Sequence, residues 1–237
     1  MNHLFFTIFT IAVVTNFIAC SVDASSNPPS SDEKKTTITT SQTQSDDSVT
    51  DPRDGQVYKT TTIGTQTWMS QNLNYETINS FCYNKDPANC SKYGRLYTWA
   101  AAVGQPEDSC GYGKLCVFTE KVQGVCPPNW HIPSLAEFEM MFSTIGEPTS
   151  TAKKLKNSSG WSYNGNGSDN YGFSVLPAGY RYVNGHFLDE GAATFLWCSE
   201  TDGNYYACSM NLIFSNDYVT ISFESKSDGF SVRCVKD

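Results

Sequence analysis

Hydrophobic and polar positions along the chain fall into three regimes. Residues 4–19 (LFFTIFTIAVVTNFIA) form one short, nearly continuous apolar block. From Ser21 to Thr50 apolar side chains almost vanish: 14 of 30 residues are Ser or Thr, and none is aromatic. From Gly55 onward apolar and polar positions interleave on short periods, and 28 of the 32 aromatics lie there, with all five Trp. Within this third regime Phe138, Met141, Phe142 and Ile145 recur at helical spacing. They follow Ser134 and Glu137, a capping-box pair, and precede Gly146 at the position of a C′ glycine, so a helix is predicted from Ser134. Leu96, Trp99, Ala100 and Val103 stand at i, i+3, i+4 and i+7 between Gly94 and Gly104, which predicts a second helix. Residues 151–156 predict a shorter one. Residues 56–62 and 66–69 are β-rich and flank Ile63-Gly64-Thr65, the pattern of a hairpin. After Trp161, Gly/Asn turns alternate with short strands. No second polar linker and no internal repeat interrupts the stretch, so one domain is expected.

The apolar block is shorter than the roughly 20 residues a spanning helix needs, and reads as a signal-peptide core. It carries no positive n-region beyond His3. It ends in Phe17-Ile18-Ala19-Cys20, which resembles the lipobox of bacterial lipoproteins, with Phe17 where that family usually has Leu. The resemblance implies a signal peptide over residues 1–19 and Cys20 as the acylated first residue of the mature chain. Acyl chains at about 0.8 kcal/mol per buried methylene would then anchor the protein to the membrane. The competing expectation is free secretion with cleavage after Ala24. Residues 20–53 cannot bury enough apolar surface to offset chain entropy and are expected to form a disordered tether. Their r.m.s. reach would be on the order of 30 Å. Residues 54–237 are the expected folded domain. This layout places the protein in the cell envelope, as an outer-membrane or cell-surface lipoprotein.

Charge and cysteine content narrow the picture further. Sixteen Lys/Arg against 24 Asp/Glu give a net charge of −8, which argues against nucleic acid as a partner. The chain has 9 cysteines, an odd number for an oxidised protein, and setting Cys20 aside leaves an even set. Cys198 and Cys208 are symmetric about Gly203, so a hairpin with the loop Asp202-Gly203-Asn204 would set them opposite each other, within disulfide range. Cys82 with Cys90 and Cys110 with Cys116 are close enough to staple one loop each, which leaves Cys126 with Cys234. Zinc is the alternative for clustered cysteines, but no C-x₂-C pair occurs.

Few residues invite chemistry. His131 and His186 are the histidines beyond the signal segment, and His131, beside Trp130 before a helix start, reads as structural. Asp189-Glu190 and Glu200/Asp202 have the composition of a glycosidase acid pair, but acids adjacent in loops are common. The loop Asn164-Gly165-Asn166-Gly167-Ser168-Asp169-Asn170 is rich in side-chain oxygens, yet it lacks the bidentate Glu of an EF-hand. Trp161, Tyr163, Tyr171, Tyr180 and Tyr182 surround it, and exposed aromatics stack on sugar rings. The candidate ligand-binding residues are therefore Trp161, Tyr163, Asn164, Asn166, Asp169 and Tyr180. No catalytic residue, metal or cofactor is assigned.

Several blocks carry a family resemblance. They are Asp54-Gly55-Gln56-Val57-Tyr58-Lys59, Ile63-Gly64-Thr65-Gln66-Thr67-Trp68-Met69, Gln71-Asn72-Leu73 and Tyr93-Gly94-Arg95-Leu96-Tyr97-Thr98-Trp99-Ala100. The block from Gly124 to Ser134, Leu176-Pro177-Ala178-Gly179-Tyr180-Arg181 and the closing Ser231-Val232-Arg233-Cys234-Val235 complete them. In this order they resemble the Fibrobacter succinogenes major paralogous domain family across residues 54–237. The resemblance implies a secreted or surface bacterial lipoprotein domain and leaves its activity open. Pro133-Ser134-Leu135-Ala136-Glu137-Phe138-Glu139 and the arginine–cysteine end are also similar to the formylglycine-generating-enzyme group. That likeness implies a C-type-lectin-like α+β fold, irregular and disulfide-braced, with short antiparallel strands and two or three short helices. The oxidase activity of that group is not carried over, because no cysteine pair here matches its active-site pair. The functional expectation is a surface binding or adhesion module with polysaccharide as ligand class. A cell-envelope enzyme and a protein-recognition module are the alternatives.

Overall fold

The computed structural model describes residues 47–237, so residues 1–19, Cys20 and the expected tether as far as residue 46 lie outside the described residues. The fold begins earlier than residue 54. Strand β1 (Ser48–Thr50) pairs antiparallel with β2 (Val57–Ile63), because a Ser/Thr-rich segment can still offer backbone groups to a sheet edge. Fully buried Asp51 fixes the turn after β1. Its carboxylate accepts three hydrogen bonds from the Arg53 guanidinium, at 2.9, 3.2 and 2.6 Å, and Arg53 also donates to the Val125 carbonyl.

The predicted hairpin is present. Strand β3 (Gln66–Met69) returns along β2 through the two-residue turn Gly64-Thr65, with Ile63 opposite Gln66. Strands β12 (Val235–Lys236) and β6 (Trp130–His131) extend it into a sheet ordered β1-β2-β3-β12-β6. A second sheet consists of β11 (Thr220–Ser225), β10 (Tyr206–Ile213), β9 (Ala193–Asp202), β7 (Ala178–Arg181) and β8 (Phe187–Glu190), in that order. Its β7–β9 pair is parallel and its other pairs are antiparallel. Strands β4 (Ser80–Phe81) and β5 (Leu96–Tyr97) make a small third sheet.

The helices are short. Helix α1 covers Pro87–Tyr93, and α2 (Trp99–Ala102) and α3 (Glu107–Cys110) are single turns. Helix α4 (Leu135–Ile145) has the predicted Ser134/Glu137 capping box and buries Phe138, Met141 and Ile145. Helix α5 (Thr151–Leu155) follows. The helix expected between Gly94 and Gly104 shrinks to α2. Leu96 and Tyr97 are extended instead, because the Tyr97 N–H donates to the Phe230 carbonyl at 2.7 Å. All four apolar positions of that pattern are buried, but the chain reaches them by crossing the core as a strand before it turns.

Two apolar cores flank the β9–β10 hairpin. Trp197 and Ala207 face one core, with Tyr97, Trp99, Trp130 and Phe230. Leu196, Cys198, Cys208, Met210 and Leu212 face the other, with Trp68, Phe138, Trp161 and Phe173. Burial on both sides explains the unbroken run of buried residues along β10. Trp68 stacks on Phe138 at 5.5 Å and meets Phe173 edge-on, which joins the first hairpin to α4.

Four disulfides brace this frame: Cys82–Cys90, Cys110–Cys116, Cys126–Cys234 and Cys198–Cys208, the pairs that spacing selects. The β9–β10 loop lies one residue later than expected, since Asp202 pairs with Tyr206. A bulge between Ala207 and Ser209 then restores the register, and Cys198 and Cys208 face each other with 5.2 Å between Cα atoms.

Three buried cations pin the loops. Lys156 donates to the carbonyls of Ile213 and Asn216 and lies over Trp161. Lys226 donates to the Lys114 carbonyl and lies over Trp99. Arg233 lies over Phe173. Each charge meets carbonyl dipoles and a ring face, which offset part of its desolvation.

Candidate functional site

Three segments far apart in sequence meet at Asn72. Its Nδ2 donates to the Tyr93 carbonyl at 2.8 Å and to Ser231 Oγ at 3.1 Å, while its Oδ1 accepts from Arg233 Nε at 2.8 Å. The neighbouring backbone is tied in the same way: Leu73 N–H donates to the Val232 carbonyl, and Arg95 N–H donates to the Leu73 carbonyl. Gly94 lets the strands approach this closely. Its φ is +76°, and a Cβ there would stand 2.8 Å from the Asn72 side chain and from the carbonyls of residues 72 and 73.

Above this junction opens a cleft of about 790 Å³. Strand β2 and residues 70–72 form one wall, the end of α1 with Tyr93 and Gly94 another, and Asn157, Ser174 and Leu176 the far side. Arg233 lies at its floor, only 1% exposed. Its guanidinium donates to Asn72 Oδ1 and to the carbonyls of Phe173 and Ser174, all neutral acceptors. Burial pulls the Arg233 pKa down to about 9, with only partial relief from the distant Asp169 carboxylate. Side-chain amides and hydroxyls make up most of the remaining lining, with Val57, Cys90 and Leu176 among them and Lys59, Lys92 and Asp47 as its other charged residues.

A smaller concavity of about 340 Å³ lies beside His131. His131 is buried, with Nδ1 2.6 Å from Asp237 Oδ1 and Nε2 2.8 Å from Glu137 Oε1. Both ring nitrogens are committed to carboxylates, so neither is left to act as a base. Burial pushes the Glu137 carboxyl up, but hydrogen bonds from His131 and Ser134 outweigh it and hold the pKa at about 2. Glu200 accepts from the Leu135 N–H at the first turn of α4. Cys198, Glu200 and Cys208 have ligand atoms within 4.8 Å of one another, but the two sulfurs are bonded to each other and offer no thiolate.

The residues that sequence reasoning put forward as ligand-binding do not line the large cleft. Trp161 is a core residue, 5% exposed, with its indole N–H donating to the Val175 carbonyl. Tyr180 is wedged against Phe195 and Phe230 at 5.0 and 5.9 Å. These two placements share a cause: each ring found apolar neighbours from β9 or from the chain around Val175 and Phe230. Tyr163 is 83% exposed beside Phe214, and Asn164 is exposed. Asn166 Oδ1 accepts from the Trp161 N–H, and Asp169 accepts from both the N–H and the hydroxyl of Ser174 at 2.7 and 2.5 Å. Two of the loop's side-chain oxygen groups, those of Asn166 and Asp169, are thus engaged within the protein. Asp169 nevertheless bears on the cleft, because it holds Ser174, whose carbonyl holds Arg233. Asp189, Glu190 and His186 are exposed at β8 and its turn, and Asp202 at the end of β9. Sequence reasoning missed Asn72 and Arg233, although both stand in the blocks that carry the resemblance.

A second surface is aromatic. Tyr112, Tyr205 and Tyr206 are each about half exposed, with ring centroids 4.9 and 6.5 Å apart in succession. They sit at the β9–β10 tip beside the loop closed by Cys110–Cys116.

Comparison with known proteins finds one family. The model of the Fibrobacter succinogenes major domain matches residues 61–236. No curated protein and no solved structure matches the chain.

Proposed function

The chain belongs to the Fibrobacter succinogenes major domain family, and on that premise we propose that it is a surface-anchored binding module whose cleft takes polysaccharide. The observation that carries this reading is the chemistry of the cleft. Its volume of about 790 Å³ suits a ligand of several rings, and amides and hydroxyls dominate its lining. Gln71 and Asn157 engage their amide oxygens with the Lys59 N–H and with Ser159, which leaves their amide N–H groups to recognise a polyhydroxylated ligand rather than an apolar one. The exposed tyrosine row supports the same ligand class from another face, since tyrosine rings stack on sugars while their hydroxyls remain wet. We read the mixed α+β fold with its four bridges as C-type-lectin-like, and the segment before it as a tether from acylated Cys20 in the outer membrane. Anchor, tether and domain would then display the cleft outward.

The test is retention of the purified full chain on insoluble cell-wall polysaccharides and on a glycan array. Retention without turnover is expected. Gln71→Ala with Asn157→Ala should weaken it if the cleft is the seat, whereas Tyr205→Ala should do so if the tyrosine row is. A protein that ignores every polysaccharide offered would overturn the reading.

A further inference from the structure

Arg233 is a buried cation with neutral partners. Among the described residues it forms no ion pair, and Asp169, the acid that acts on it through space, is engaged with Ser174. A guanidinium has five N–H groups. Three are accounted for by Asn72, Phe173 and Ser174, which leaves one on each terminal nitrogen without an acceptor among the described residues. The cleft above it is lined by exposed Lys59 and Lys92 against Asp47 as the acid of the lining, with Lys92 also 4.0 Å from Glu190 outside it. The lining itself thus carries three cations, Lys59, Lys92 and Arg233, against one acid, in a chain of net charge −8. Burying a charge without its counter-charge is costly, and guanidinium N–H groups form strong charge-assisted hydrogen bonds to a carboxylate.

We propose that the cleft is selective for acidic saccharides, with a uronate carboxylate directed to Arg233 and the two lysines steering the chain in. This selectivity rests on the polysaccharide reading above and adds to it the ligand's charge. The bound carboxylate would supply the counter-charge that the fold itself withholds, while the amides of the walls take the sugar hydroxyls.

The experiment is calorimetric titration of the full chain with oligogalacturonate and oligoglucuronate, with their methyl esters, and with neutral cello- and xylo-oligosaccharides. The free acids should bind at least about tenfold tighter than the esters, a margin that shrinks with added salt. Arg233→Lys should abolish the preference if the variant keeps its circular-dichroism spectrum. Lys59→Ala with Lys92→Ala, both exposed, should weaken acid binding severalfold while neutral binding holds, and this pair decides the matter if the Arg233 variant unfolds. Equal affinity for acid and ester, or a preference for neutral chains, overturns the acidic selectivity and leaves the polysaccharide reading standing. Acid preference that survives both variants removes it from this cleft. Failure of every glycan to bind overturns both.

Discussion

The Cys126–Cys234 bridge should stabilise the domain far more than its hairpin counterpart, and the structure allows the difference to be isolated. Cys126, Cys234, Cys198 and Cys208 are all fully buried, so replacing either pair by alanine removes similar packing. The loops they close are not similar: the sequence separation is 108 residues in one and 10 in the other. In the chain-entropy description the unfolded state gains about 4.8 kcal/mol when the long loop is opened and about 2.7 kcal/mol for the short one. The difference, about 2 kcal/mol, follows from the ratio of loop lengths alone. For a domain of this size that corresponds to about 4–8 °C in Tm beyond the loss seen for the hairpin pair. The assay is urea and thermal unfolding of Cys126→Ala/Cys234→Ala and Cys198→Ala/Cys208→Ala, with midpoint and slope both read. The long-loop variant should also show the larger slope, because its unfolded chain is freer to expand. If the hairpin pair costs as much as the long pair, or more, loop closure is not what these bridges supply and local packing is.

Two further outcomes test the frame around the sites. Glu137 is held at about 2 against an ordinary 4.5, so its contribution is present above pH 4.5 and is lost as pH falls toward 2. Acid unfolding followed by tryptophan fluorescence should therefore steepen in that window, and Glu137→Gln should flatten it; an unchanged acid limb in the variant refutes the assignment. Gly124 has φ +54°, and a Cβ there would lie 2.2 Å from the Ala102 carbonyl oxygen, whereas Gly203 has φ +63° with open space around it. Gly203→Ala should cost about 1 kcal/mol for the left-handed backbone alone, and Gly124→Ala clearly more. Equal shifts in chemical denaturation would show that the close approach at Gly124 is not tight.

Charge economy links fold and site. Lys156, Lys226 and Arg233 are all fully buried cations held by carbonyls and aromatic faces. The first two sit at loop junctions and reach carbonyls from segments far along the chain, so their placement reads as architectural. Arg233 differs in position, since it alone of the three borders the large cleft. The same physical device thus fastens loops in all three places, and in the third it also sets a cation at the floor of the cleft.

What the sequence determined by itself was local or closed by short spacing. The capping box of α4, the hairpin at Gly64-Thr65, helix α5 and the bridges Cys82–Cys90, Cys110–Cys116 and Cys198–Cys208 depend on residues within about a dozen positions of one another. Their geometry is set by backbone periodicity and turn chemistry, which a linear pattern displays. The Cys126–Cys234 pairing followed only because those three left no other choice. The periodicity at Leu96–Val103 was misleading, because burial on every side produces the same apolar spacing in a strand that crosses a core as on a helix face. The aromatics around Asn164 could not be sorted into core and surface from composition: what covers Trp161 and Tyr180 arrives from Val175, Phe195 and Phe230. The cleft was least legible of all. Asn72 and Arg233 are 161 positions apart, and only the tertiary structure brings their side chains to 2.8 Å. Sequence pattern records which faces must be buried; which distant faces bury one another is decided by packing, and the cleft is made of such meetings.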